Sequence, residues 1–274
     1  MKFGGLRVYA ICYLLFLYAP IALLPVFAFN DAKIIAFPLS GFTTKWFVEL
    51  TNQPELGKAL KTSLFIAVCA AILSTILGMF AARASTRYKF PGKGAIIGLI
   101  MLPLVLPDVI MAISLLVVVL QAAAFLGFDN PLTVWTVIMG HVLVCTPFTI
   151  AILNSSFLTL DRSLEEAAID LGETKLSTFR LITLPLVLPG VISALLIAFT
   201  ISFDEFITSF FLTGSNPTLP VYIFSQFRFP AKVPAMMALG SLLVLGSILL
   251  LAIAEYVRRR GIKRRGGKDT GGFL

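Results

Sequence analysis

Six apolar stretches recur along this chain, at about 8–29, 62–83, 95–124, 132–157, 187–212 and 234–257. Each reaches the roughly 20 residues that a helix needs to cross a bilayer. In hydrocarbon every backbone N–H and C=O must be bonded within the chain, so only helices and closed barrels can span. The ten-residue alternating segments of a barrel do not occur in the sequence. Charged residues make up 13% against 58% hydrophobic, where a soluble domain is about a quarter charged. The expected fold class is therefore all-α and integral to the membrane, a single transmembrane domain of six helices over 1–274.

The formal charge of +8 does not point to nucleic acid, because its placement follows the spans. Arg258, Arg259, Arg260, Lys263, Arg264, Arg265 and Lys268 follow the last span as a basic tail, 258–274. Lys2 and Arg7 precede the first span, and Arg83, Arg87, Lys89 and Lys93 flank the loop between the second and third. Six spans put both termini and that loop on one side, which the positive-inside rule makes the cytoplasm. The loop 158–184 falls on the same side. Contact with lipid headgroups is a further role for these cations.

Cys12, Cys69 and Cys145 all lie in apolar spans and give neither a disulfide framework nor metal spacing. The first span exceeds the h-region of a typical signal peptide and reads as a retained helix. Two external segments follow from the topology. The first, 30–61, mixes charges with Trp46 and Phe47, as an interfacial belt or a solute contact would. The second, about 213–233, is rich in proline and aromatics and is expected to re-enter or lie along the interface. Pro103 and Pro107 should kink or break the third span, which membrane helices tolerate where neighbours re-satisfy the backbone.

The loop 158–184 is a charged amphipathic island. Ser163-Leu164-Glu165-Glu166 has capping-box spacing, so a helix is expected to begin there, with Glu165 and Glu166 favoured in its first turn by the helix dipole. Gly172 is placed as its stop. A helix of two to three turns is not stable alone and must dock. Ala167, Ala168 and Leu171 give it a smooth apolar side, and Thr174 restarts a helix toward Leu184-Pro185.

Glu166-Ala167-Ala168, Gly172 and Ile182-Thr183-Leu184-Pro185 reproduce the spacing E-A-A-x3-G-x9-I-x-L-P. This pattern resembles the cytoplasmic coupling loop of permease subunits of binding-protein-dependent ABC importers, the MetI-like type. The resemblance implies that Glu166, Ala167, Ala168, Asp170, Leu171 and Gly172, within the 163–185 loop, dock into an ATP-binding subunit. It also implies an ABC ATPase dimer, a second and different permease subunit, and an external substrate-binding protein as partners, in a bacterial inner membrane with both termini cytoplasmic. The chain has no phosphate-binding G-x4-G-K-[ST]: Arg87 stands where Gly92-Lys93 needs a leading glycine, and Ile262 where Gly267-Lys268 does. ATP and Mg are accordingly expected on the partner, and no cofactor, metal or catalytic residue on this chain.

An ionised acid at mid-bilayer costs roughly 2.5–3.5 kcal/mol on insertion scales, so acids in the spans need a reason. Asp108 is expected near the middle of the third span, and Asp204 and Glu205 about two-thirds along the fifth, with Asp204 and Thr208 on one face. No Lys or Arg lies at comparable depth. These acids point to a cavity that accepts a cation, with Ser202, Trp46 and the lone intramembrane His141 as further candidates. An interhelical hydrogen bond is the competing role for His141.

The segments Leu102-Pro103-Leu104-Val105-Leu106-Pro107-Asp108-Val109-Ile110, Ser202-Phe203-Asp204-Glu205-Phe206-Ile207 and Thr218-Leu219-Pro220-Val221-Tyr222-Ile223-Phe224-Ser225 resemble the permeases of spermidine/putrescine importers. They look closest to the second permease subunit of that system. An Asp-Asp pair is common there where this chain has Asp204-Glu205. The cargo implied is a polyamine, which spaced carboxylates and aromatics would suit. Two alternatives stand beside it: an ABC permease for another small solute (an amino acid, an opine or an iron complex), and a cation-coupled secondary transporter that needs no cytoplasmic partner.

Overall fold

The computed structural model describes residues 3–264, with side chains over 5–249. Its helices, in order, are α1 (Phe3–Ala28), α2 (Lys45–Thr51), α3 (Pro54–Arg87), α4 (Lys93–Met101), α5 (Asp108–Leu126), α6 (Val134–Thr159), α7 (Arg162–Asp170), α8 (Lys175–Thr178), α9 (Leu184–Asp204), α10 (Ile207–Leu212), α11 (Leu219–Gln226) and α12 (Val233–Arg264). Short 3-10 turns at Leu102–Leu104 and Pro230–Lys232 and a π turn at Phe179–Thr183 complete them. Among the described residues, six segments are long and apolar enough to cross a membrane: Gly5–Ala28, Pro54–Arg87, Asp108–Leu126, Val134–Thr159, Lys175–Asp204 and Pro230–Leu249. The chain is a multi-pass, all-helical membrane protein. The side chains of the basic tail, 258–274, lie outside the described residues.

The described residues fall into two compact units, one running to residue 54 and resuming at 223, the other 55–222. In the first, α1 packs along α12 and α2 rests on α12. The segment after α1 closes on Trp46, which is buried and donates its indole N–H to the Asn30 carbonyl at 2.7 Å. Lys45 pairs with Asp31 and lies over the Trp46 ring.

In the second unit α6 packs most extensively on α9, and α10 wedges against α5 and α6. The buried face of α3 is built almost wholly from small residues, including Ala67, Ala70, Ala71, Ser74, Gly78 and Ala82. Such residues let backbones approach closely, which drives helix association where lipid removes the hydrophobic incentive. At Gly78 the approach is tight enough that a Cβ would collide with Thr149 of α6. The Thr149 hydroxyl there donates to the Ser74 carbonyl at 2.9 Å. Large apolar side chains instead point outward, Phe125 at 89% exposed and Val105 at 82%. In water so much exposed hydrocarbon would aggregate; in a bilayer it is lipid contact.

Two spans depart from their expected course. The third does not run through from 95: the prolines stop α4 and a 3-10 turn fills the gap. Pro107 then caps α5, so Asp108 becomes the first residue of a helix rather than a mid-span acid. The fifth breaks at Glu205–Phe206 with no proline, and α10 restarts at Ile207.

Candidate functional site

The island between the fourth and fifth spans folds as α7, α8 and the π turn. The α7 N-cap is Asp161, not Ser163: its carboxylate accepts the Ser163 N–H at 3.0 Å. Asp is as good a cap as Ser, and the earlier start makes Ser163 a helical residue. That hydrogen bond, with a second from the Ser163 side, holds the Asp161 carboxyl below its usual range. The cap is therefore fully present above the ordinary Asp value and is lost only as pH falls through the lowered one. At the other end the Gly172 N–H bonds to the Ile169 carbonyl at 2.9 Å and the Glu173 N–H to the Ala168 carbonyl at 3.0 Å. This is the paired closure of a Schellman cap. Its left-handed residue is Gly172, at φ +94°, where a Cβ would be strained.

Tertiary contacts divide α7 into two faces. Glu165 and Ala168, at i and i+3, are buried at 8% and 3%. Ala168 thus belongs to the inner face rather than to the smooth outer side expected of it. Outward lie Leu164, Ala167 and Leu171, the last 87% exposed. Glu166 is also exposed and, among the described residues, pairs with Arg162, four residues back, at 3.0 Å.

The residue that locks α7 to the spans is Glu165. Its Oε2 lies 2.6 Å from Arg87 Nε at the end of α3, a charge contact rather than an aligned hydrogen bond. Its Oε1 accepts the Thr183 hydroxyl proton at 2.7 Å. Thr183 closes the π turn, and π turns mark functional positions more often than chance. One carboxylate thus ties the loop helix both to the end of the second span and to the start of the fifth. Reading the sequence overlooked Glu165 because Glu166 occupies the motif position. The signal was its i, i+3 spacing to Ala168, with Arg87 as the available cation.

At the opposite end of α9, a 21-residue helix and so about 30 Å away at 1.5 Å per residue, lie the other candidates. Asp204 is the last residue of α9, is exposed, and has no side-chain partner among the described residues. Glu205 turns back, and its Oε1 accepts the Thr208 N–H at 2.8 Å, capping α10. Thr208 is fully buried, so the break removes the shared face expected for Asp204 and Thr208. His141 of α6 is 1% exposed and bridges the break. Its Nδ1 lies 2.7 Å from Ser202 Oγ of α9 and its Nε2 2.8 Å from Ser209 Oγ of α10. His141 and Ser202 hold the helix interruption and are not open to a solute. Trp46 is likewise occupied as the anchor of its own segment, neither belt nor open contact. Asp108, opening α5, is exposed with its charge at the favourable end of the helix dipole. All three acids therefore sit at helix interruptions rather than within continuous membrane helix.

A family model described as "Binding-protein-dependent transport system inner membrane component" matches residues 74–263, a range that contains the coupling island and all three acids. The chain belongs to this family. The match makes it the membrane component of a transport system, with no ATPase of its own. It is 38% identical to the putrescine transport system permease protein PotI of Escherichia coli (strain K12), over 91% of this chain and 89% of that one. It is 34% identical to the spermidine/putrescine transport system permease protein PotC of the same strain, over 92% and 93%. Among solved structures, a bacterial ABC transporter involved in import of the acidic polysaccharide alginate superposes with a TM-score of 0.73. That match is at 19% identity and covers 94% of both chains, and it shows the permease fold alone. Glu165, next to the motif in this membrane component, is where the fold ties that motif to its spans.

Proposed function

We propose that this membrane component is the permease subunit of an ATP-driven importer of polyamines such as putrescine and spermidine. It would work with a separate ABC ATPase dimer, a second permease subunit and an external substrate-binding protein, with both termini in the cytoplasm. ATP and Mg then belong to the ATPase, and this chain binds no cofactor. The observation that carries the reading is the two-faced α7. Its inner face is fixed to the second and fifth spans through Glu165, while Leu164, Ala167 and Leu171 are left for a partner. Closure of the ATPase pair moves α7, and the Arg87 and Thr183 contacts pass that motion into the spans. The cargo rests on the named relatives and on Asp108 and Asp204. Both are exposed carboxylates at helix interruptions, of the charge a linear amine requires.

Uptake of labelled putrescine and spermidine, in cells whose own polyamine importers are deleted, tests this directly. Expression with an ABC ATPase and a substrate-binding protein of the same system should confer uptake, and removing the ATPase gene should abolish it. Glu166→Lys should also abolish it by reversing a charge on the exposed side of α7. Uptake that survived ATPase removal would favour a secondary transporter. Uptake of only amino acids, opines or iron complexes would keep the architecture and reject the polyamine.

A further inference from the structure

We propose that the crevice beneath α7 binds the phosphate of an anionic phospholipid headgroup. The crevice, about 180 Å³, opens between the end of α3, α7 and α8. Arg83, Arg87, Arg162 and Lys175 line it together with Glu165 and Glu166. Both carboxylates are engaged, Glu165 with Arg87 at 2.6 Å and Glu166 with Arg162 at 3.0 Å. Arg83 and Lys175 therefore bring two positive charges that no lining carboxylate balances. Arg83 is oriented by the Phe179 ring, which lies 4.3 Å from its guanidinium carbon. Stacking on one face leaves the N–H fork free at its edge, and that fork matches phosphate oxygens, with Lys acting as a point charge beside it. Thr178 also lines the crevice, is 3% exposed, and has a hydroxyl with no hydrogen-bond partner. A buried unpaired hydroxyl is unfavourable, and a phosphate oxygen would satisfy it.

Depth selects the lipid. The second candidate crossing ends at Arg87 and the fifth begins at Lys175, so the crevice lies at the ends of both, the level at which an interface is expected. Exposed Tyr88 marks the same interfacial level. The phosphate most abundant there is the headgroup layer, and a cation near an anionic surface gains about fivefold in affinity. The site does not depend on which solute is carried.

Native mass spectrometry of the full-length chain, purified in detergent with its co-expressed ATPase, tests this by titration with phosphatidylglycerol and with phosphatidylcholine. Phosphatidylglycerol should bind in preference. That preference should fall about fivefold in Lys175→Gln, and to roughly the square of that in Arg83→Gln with Lys175→Gln. Arg180→Gln, an exposed cation outside the crevice, should leave it unchanged. Lys175 is exposed, so its variant keeps the fold even if loss of Arg83 disturbs the Phe179 contact. Inorganic phosphate should not displace the lipid; displacement at equal concentration would assign the crevice to a free anion and overturn the lipid. An undiminished lipid preference in the double variant would also overturn the proposal. Unchanged lipid binding with weakened ATPase association would assign the cluster to an acidic partner side chain.

Discussion

Glu165 and Glu166 are chemically identical neighbours with opposite situations. Glu165 is closed against Arg87 and Thr183, whereas Glu166 shares water with Arg162. Removing one partner of a buried pair strands the other charge and costs about 3–5 kcal/mol, while an exposed i, i+4 pair contributes about 0.3–0.5 kcal/mol. Glu165→Ala should therefore lower the melting temperature of the purified protein markedly, and Glu166→Ala should barely move it. Equal shifts in the two melts would contradict the division of α7 into a locked face and a free one. The acids at the far end of α9 separate in the same way. Glu205→Gln keeps an amide oxygen for the Thr208 N–H and should transport nearly as well as the parent, whereas Asp204→Asn removes an unpartnered charge and should raise the KM for uptake. A reversed order in uptake kinetics would make Glu205 the residue that meets the cation.

At the level of single elements, the sequence was legible wherever local chemistry decides. Gly172 could be read as the stop of α7 because only a residue free of Cβ strain holds φ +94°, and Pro103 with Pro107 announced the gap before α5. Gly172→Ala should cost about 1–2 kcal/mol and fray the end of α7, which faster amide exchange at Leu171 and Gly172 would register; unchanged exchange would mean the cap is dispensable. The break at Glu205–Phe206 was not legible, because no proline or glycine marks it. It is held by a local cap, Glu205 on the first turn of α10, and by a tertiary contact, His141 joining both sides. His141→Phe should leave two buried serine hydroxyls unpaired, at about 1–3 kcal/mol each, and be detected as a lowered melting temperature. The start of α7 differs from the expected one because Asp161 and Ser163 are equivalent caps in isolation, and it is Asp161 that accepts the Ser163 N–H.

For the molecule as a whole, the count of six crossings followed from apolar length alone, but the depth of the acids did not. Apolar windows run across helix interruptions, so they placed Asp108, Asp204 and Glu205 inside spans that in fact end beside them. This weakens the case that these acids are expensive and leaves the case that Asp108 and Asp204 are accessible. Asp108→Asn should reduce polyamine uptake severalfold while the ATPase still co-purifies in normal amount. Full uptake in that variant would remove Asp108 from the pathway. Close packing makes a different global demand. Gly78→Leu should prevent α3 from seating on α6, with loss of folded protein from the membrane fraction as the readout.

The π turn at Phe179–Thr183 has a consequence for how the fifth span is phased. Each residue of an α-helix advances the chain by about 100°, and a π turn holds one residue more than an α turn would. Everything beyond it is therefore set a quarter-circle away from where an unbroken helix would aim it. Excising a single residue there would remove the bulge and leave Asp204 at its present azimuth, whereas straightening the turn at full length would rotate Asp204 by that quarter-circle, though the side chain itself had not been touched. In the importer proposed above, the bulge would set the angle between the end of the span that takes up force and the end that faces the solute.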